Sequence, residues 1–179
     1  CMIGLQHDLS GGIEDGPKEC KGNLFPQRVV QRQPAIDSVG TVSGFDHAAL
    51  AGEPLTEHGV ISEDEQWENL RYFLERTVPA AERAGVKMAM HPDDPPLSPI
   101  RGVARIMSNL DNYQRLVDLV PSEMNGIGLC QGNFALMTDD LPAAIRHFGG
   151  QGKIHFVHFR DVRGTPNNFT EAFHDDGQT

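Results

Sequence analysis

The sequence contains no apolar run approaching the ~20 residues that a bilayer crossing takes. Its first residues, CMIGLQHDLS, have no basic flank ahead of a hydrophobic stretch, which a secretory leader would have. Both absences lead us to expect a cytoplasmic protein. Basic residues are scarce as well, with 15 Lys and Arg against 25 Asp and Glu for a formal charge of -10 and a pI near 5.1. A field of that sign repels phosphate backbones and anionic lipid surfaces. There is also no basic patch with interleaved aromatics, so neither nucleic acid nor membrane is expected as a partner. An anionic small substrate stays open, because a metal ion and one or two arginines can reverse the potential inside a cleft. Cysteine is nearly missing too. Cys1, Cys20 and Cys130 form an odd set with no framework spacing, which argues against a disulfide scaffold and for a reducing compartment. No GxGxxG or phosphate-loop pattern follows a strand, so a nucleotide cofactor is not indicated.

What is present is the profile of a globular domain: 39% hydrophobic and 22% charged residues at a mean hydropathy of -0.37. The 179 residues suit one domain but fall short of the about 250 typical of an eight-stranded barrel. The first sixty are rich in Gly, Pro, Asp and Gln and show no sustained period. Order begins at Ser62-Glu63-Asp64-Glu65, a capping box followed at helical spacing by Trp67, Leu70, Leu74, Thr77, Val78 and Ala81. This predicts a helix to Ala84, bent or broken at Pro79 and ended by Gly85. Val86 to Met90 reads as a buried strand. Tyr113, Leu116, Val117 and Val120 recur behind the caps Ser108 and Asn109, and Pro121 stops that helix. Gly126 to Cys130 is a second strand, Asp140 and Pro142 open a helix through His147 that Gly149 closes, and Lys153 to Phe159 is a third strand. Helix and short strand alternate three times, the pattern of βα units on a parallel sheet.

Each predicted strand finishes in a side chain able to bind a metal: His91, Cys130 and His158. Parallel strands share one C-terminal edge, where strand-to-helix loops converge and ligands bind. A thiolate and two imidazoles there make a reasonable ligand set, with Asp93 or Asp94 placed to orient the histidines. The ordinary alternatives are a solvated acidic turn around His91 and a small buried hydrophobe for Cys130. Alternation puts Phe156, His158 and Arg160 on one strand face and His155, Val157 and Phe159 on the other. Arg160 then reaches whatever His158 holds and suits a carboxylate in two-point contact, the alternative being a surface pair with Asp161. His7, His47, His58 and His147 read as surface or structural residues, and Trp67, Tyr72 and Phe73 as helix packing.

The segments WENLRYFLERTVPAAERAGVKMAMHPDDPP, GIGLCQG, KIHFVHFRDVRG and NFTEAFHDDG, in this order, resemble the mannonate dehydratase family. The likeness runs from about Val60 to Gly177. It implies an α/β fold, a partial xylose-isomerase-like TIM barrel, with residues 1–179 a single incomplete barrel domain in which 61–179 supply the metal-binding βα units and 1–60 have no clear assignment. It also implies dehydration of D-mannonate to 2-keto-3-deoxy-D-gluconate, a step of hexuronate (glucuronate) breakdown. The family's divalent ion, usually manganese, is held by the histidine of HPDDPP, the cysteine of CxG, the histidine of HxR and a later aspartate. The first three match His91, Cys130 and His158; the fourth belongs to an Arg-Pro-Asp-His motif that the chain does not reach.

Mn2+ is favoured on resemblance, while the thiolate by itself favours Zn2+ or Fe2+, with Co2+ also admissible. The expected chemistry is a β-elimination in which the ion acidifies the C2 proton and loss of the C3 hydroxyl is assisted by an acid. Arg160, His174 and Glu171 are the candidate substrate-pocket residues, a capping or loop role being the alternative for the last two. Rival readings are a metal-dependent sugar isomerase or epimerase on the same barrel, and a non-catalytic fragment whose open sheet edges invite association, a homo-oligomer being one outcome.

Overall fold

The computed structural model describes residues 33–34 and 41–179, with side chains from residue 42 onward; Cys1, Cys20 and His7 lie outside the described residues. In chain order come the two-residue strands β1 (Gln33–Pro34) and β2 (Thr41–Val42), then β3 (Gly44–Asp46), a 3-10 turn His47–Leu50, and the long helix α1 (Glu63–Ala84). These are followed by β4 (Met88–Met90), α2 (Leu110–Leu119), β5 (Asn125–Cys130), the short helix α3 (Gln131–Ala135), α4 (Leu141–Gly150), β6 (Ile154–His158), β7 (Asp161–Thr165) and β8 (Asn168–Ala172).

Local chemistry explains the helix starts. Ser62 and Glu65 form the reciprocal capping box, with Glu65 Oε2 accepting from the Ser62 N–H at 2.7 Å and the Ser62 hydroxyl accepting from the Glu65 N–H at 3.3 Å. Asn109 and Asp140 cap α2 and α4 through the N–H groups of Asn112 and Ala143. Gly85, at φ 64°, ends α1 in the left-handed region. Pro79 does not end α1, which runs through it as one element, although its missing N–H leaves the carbonyl four residues earlier without its helical donor. Nor does Gly149 close α4, which continues through Gly150 and gives way at Gly152, φ 67°. Among the described residues no helix is long and apolar enough to cross a membrane.

Strands β4, β5 and β6 form a parallel sheet in that order. Helices α1, α2 and α4 bring Trp67, Leu74, Val78, Tyr113, Leu116, Val117 and Phe148 against Met88, Met90, Ile127 and Leu129, with Phe134 of α3 completing one core. By alternation the opposite face of β5 carries only Gly126, Gly128 and Cys130. The Gly126 position is filled by His155, whose Nδ1 reaches across to the Met88 carbonyl at 2.7 Å; a Cβ on Gly126 would come within 2.4 Å of that ring. Asn125 ties α2 to β5 by donating to the carbonyls of Leu116 and Val120 at 3.1 and 3.0 Å.

A second, antiparallel sheet, in the order β3-β8-β7, is built on a β7–β8 hairpin that the sequence reading did not anticipate. Its small core is Leu136, Val162 and Phe169, with Phe45 packed alongside. The carboxylate of Asp161, 2% exposed, accepts from the N–H groups of Val162, Gly177, Gln178 and Thr179 at 2.8–3.1 Å. Burial pushes its pKa up, but hydrogen bonds from the Thr179 side chain and the backbone outweigh that and hold it below the ordinary carboxylate value.

Candidate metal centre

His91 directly follows β4, and since Met88 and Met90 point into the helix-covered core, alternation sends His91 to the other face, beside Cys130. His158 joins them through an irregularity in β6. Ile127 pairs with Ile154, but Gly128 pairs with Phe156, so His155 is an extra residue in the ladder. That bulge moves every later side chain of β6 to the opposite face, and His158, paired with Cys130, shares its side of the sheet. One ligand atom from each of His91, Cys130 and His158 then lies within 4.8 Å of the others.

The ring chemistry suits a cation. His91 Nδ1 lies 2.9 Å from the Pro92 carbonyl; with its proton donated there, the lone pair is on Nε2, which faces His158 Nδ1 at 3.4 Å. Burial lowers the His91 pKa, opposed by the Pro92 carbonyl and reinforced by His158, and a neutral ring is the metal-binding form. Burial likewise raises the pKa of the Cys130 thiol, while the Asn133 N–H and Arg160 pull it back. Donors about 2.0–2.3 Å from a common ion stand roughly 3–4 Å apart, so the three side chains need only close slightly. Two imidazoles and a buried thiol fit a divalent transition metal.

The surroundings differ from expectation. Asp93 accepts from the Met107 N–H at 2.9 Å and faces Arg105 Nε at 3.5 Å, and Asp94 pairs with Arg160 Nη1 at 3.1 Å. The orienting partner of His91 is instead a backbone carbonyl. Arg160, 8% exposed, turns inward and is committed to protein groups: Asp94, the Asn133 side chain, and Glu171 at 3.2 Å from Nε. The last contact is an ion pair by distance, although the N–H does not point along it. Asp161 is occupied by its backbone donors and is not Arg160's partner. Glu171 therefore lies one residue beyond the cluster, and His174 is exposed in the turn after β8. His147 joins a surface network with Gln114 and Gln151, His47 lies against Phe45, and His58 faces Glu57. A separate cleft of about 430 Å³ between the starts of α1 and α2 includes none of the three ligand candidates.

Two residues near the cluster went unnoticed in the sequence. Tyr113, fully buried, has a pKa raised far above the ordinary range by burial, then by Asp93 and Cys130; helical spacing marked it as core and gave no sign of these neighbours. Asn133, fully buried on α3, bonds both Arg160 and the Asp93 carbonyl. A polar residue one helical turn after a strand-ending cysteine was the available signal.

The profile of the family described as D-mannonate dehydratase (UxuA) matches residues 22–179. The chain belongs to the mannonate dehydratase family. Among curated relatives, it is 39% identical over 168 residues to mannonate dehydratase 2 of Halalkalibacterium halodurans, an alignment covering 90% of this chain and 47% of the relative. It is 46% identical over 116 residues to the mannonate dehydratase of Thermotoga neapolitana, covering 64% and 32%. The crystal structure of mannonate dehydratase from Streptococcus suis serotype 2 superposes with a TM-score of 0.75 at 35% identity, over 85% of this chain and 45% of that one. The chain thus spans about half the length, or less, of the mannonate dehydratases it matches.

Proposed function

We propose that this chain supplies the metal-binding part of a lyase that dehydrates D-mannonate to 2-keto-3-deoxy-D-gluconate, on a partial TIM-type barrel of the xylose-isomerase kind. The observation that carries the proposal is the meeting of His91, Cys130 and His158 at one sheet edge, within 4.8 Å, in a member of this family. These three would hold the divalent ion, Mn2+ by family likeness. When bound, it would supply Lewis-acid polarisation of substrate oxygens beside C2.

The chain's own residues define the rest. Cys130 would supply its sulfur from a fully buried position, and His158 would supply its nitrogen from an exposed one that a substrate can approach. Arg160, held by Asp94, Asn133 and Glu171, braces the segment that follows His158, its charge balanced by the two carboxylates. Glu171, which meets the cluster only through Arg160, and the exposed His174 are the groups we propose for proton exchange with the substrate.

The test transplants the aligned residues of this chain into the Halalkalibacterium halodurans relative, replacing the matched 168-residue stretch. With Mn2+ and D-mannonate, the chimera is expected to give a 2-keto-3-deoxy acid lighter by one water. His91→Ala or Cys130→Ala within it should lower turnover by at least about a hundredfold, as loss of a ligand on a catalytic ion does. An isomeric product of unchanged mass would favour a sugar isomerase. A folded, metal-loaded chimera that leaves D-mannonate untouched would overturn the assignment.

A second reading concerns residues 1–179 alone, and the exposed strand β6 favours it. Phe156 in β6 and Phe159 just after it are 55% and 70% exposed, and among the described residues no strand pairs with the outer edge of β6. Tested alone, these residues are expected to show little turnover.

A further inference from the structure

Asn133 has no part in the ligand set, yet it contacts each segment that carries a ligand. It stands three residues after Cys130, in the short helix α3 that follows β5. Its side-chain Nδ2 donates to the Asp93 carbonyl at 3.1 Å, two residues after His91. Its Oδ1 accepts from Nη1 of Arg160, two residues after His158. The residue is fully buried, so water does not substitute for these partners at no cost.

We propose that Asn133 is a positioning residue that locks the strand ends bearing His91, Cys130 and His158 into one metal-receiving geometry. The proposal rests on the metal reading given above. A side-chain amide presents a donor and an acceptor on one rigid plane. Aspartate at this position keeps an acceptor for Arg160 but turns an oxygen toward the Asp93 carbonyl, so the loop after β4 is released. Leucine, of similar volume, releases both side-chain contacts. The consequence is graded: the loop carrying His91 loses one tie in either variant, and the turn after His158 loses one in the leucine variant alone.

The experiment titrates Co2+ into the wild-type chain and into Asn133→Asp, Asn133→Leu and Cys130→Ala. It follows the thiolate-to-metal absorption band together with the far-ultraviolet circular dichroism of the metal-free proteins. The wild type is expected to develop the band and Cys130→Ala to lack it. Both Asn133 variants should bind about 10–100-fold more weakly, as changes behind metal ligands do, with the band weakened or displaced and the metal-free spectrum unchanged. A purely structural role would alter the melting temperature and leave the band where it was. Asn133→Asp, which adds no bulk and keeps the Arg160 contact, decides the matter where Asn133→Leu does not fold. Wild-type affinity and band in a folded Asn133 variant overturn the proposal. No band in the wild type itself removes the metal reading, and this proposal with it.

Discussion

Strands β5 and β6 lie side by side in one sheet and live in different surroundings. All six residues of β5 are buried, whereas the last three of β6 are exposed. Each contributes one ligand candidate, Cys130 and His158, in register with one another. On the metal reading proposed above, a rigid, dry strand would fix the thiol and an open strand would leave an approach for a small polar molecule. The contrast also separates two sources of stability. Apolar burial holds β5, while around the turn leaving β6 the work falls to polar contacts of Asp161 and Arg160.

The comparison is broken most directly in the core of β5. Ile127→Ala, at a fully buried position in the main cluster, is expected to lower unfolding stability by about 2–5 kcal/mol in urea titrations. Asp161→Ala, which leaves three or four N–H groups without their acceptor, should cost about 1–3 kcal/mol. It also has a pH signature. The folded pKa of Asp161 is depressed, so its contribution is present above the unfolded carboxylate value and is lost as pH falls through the folded value. Stability measured from pH 5 downward should therefore fall more steeply in the wild type than in Asp161→Ala. Equal slopes would show that the hydrogen-bonded carboxylate has no such effect. The smallest change belongs to the open strand: Phe156→Ser should alter stability by no more than about 0.5 kcal/mol while improving solubility. A loss comparable to that of Ile127→Ala would mean that β6 is covered in solution.

Much of the helical frame could be read from the sequence because its signals are local: Ser62 with Glu65, Asn109, Asp140 and Gly85 each act within a turn of their own position. The three strand ends were visible for the same reason, as each is a short apolar run closed by a metal-capable side chain. What stayed hidden depends on contacts between distant segments. The extra residue at His155 is defined only against β5, and without it alternation alone could not say that His158 meets Cys130 rather than the helices. The β7–β8 hairpin, which turns at Pro166 and Asn167, carries too few apolar residues to show a period. Asp93 and Asp94 look like obvious partners for His91 by proximity in the chain, but Arg105 and Arg160 claim them from elsewhere in the fold. Asn133 is the same case reversed, ordinary in sequence and central in space.

The contact between His91 and the Pro92 carbonyl has an evolutionary consequence. A side-chain change elsewhere that keeps the backbone course here leaves that acceptor in place, since a peptide oxygen belongs to no side chain. Drift at positions 93 and 94 can retune the charge around the imidazole, but which nitrogen keeps the proton is written into the main chain.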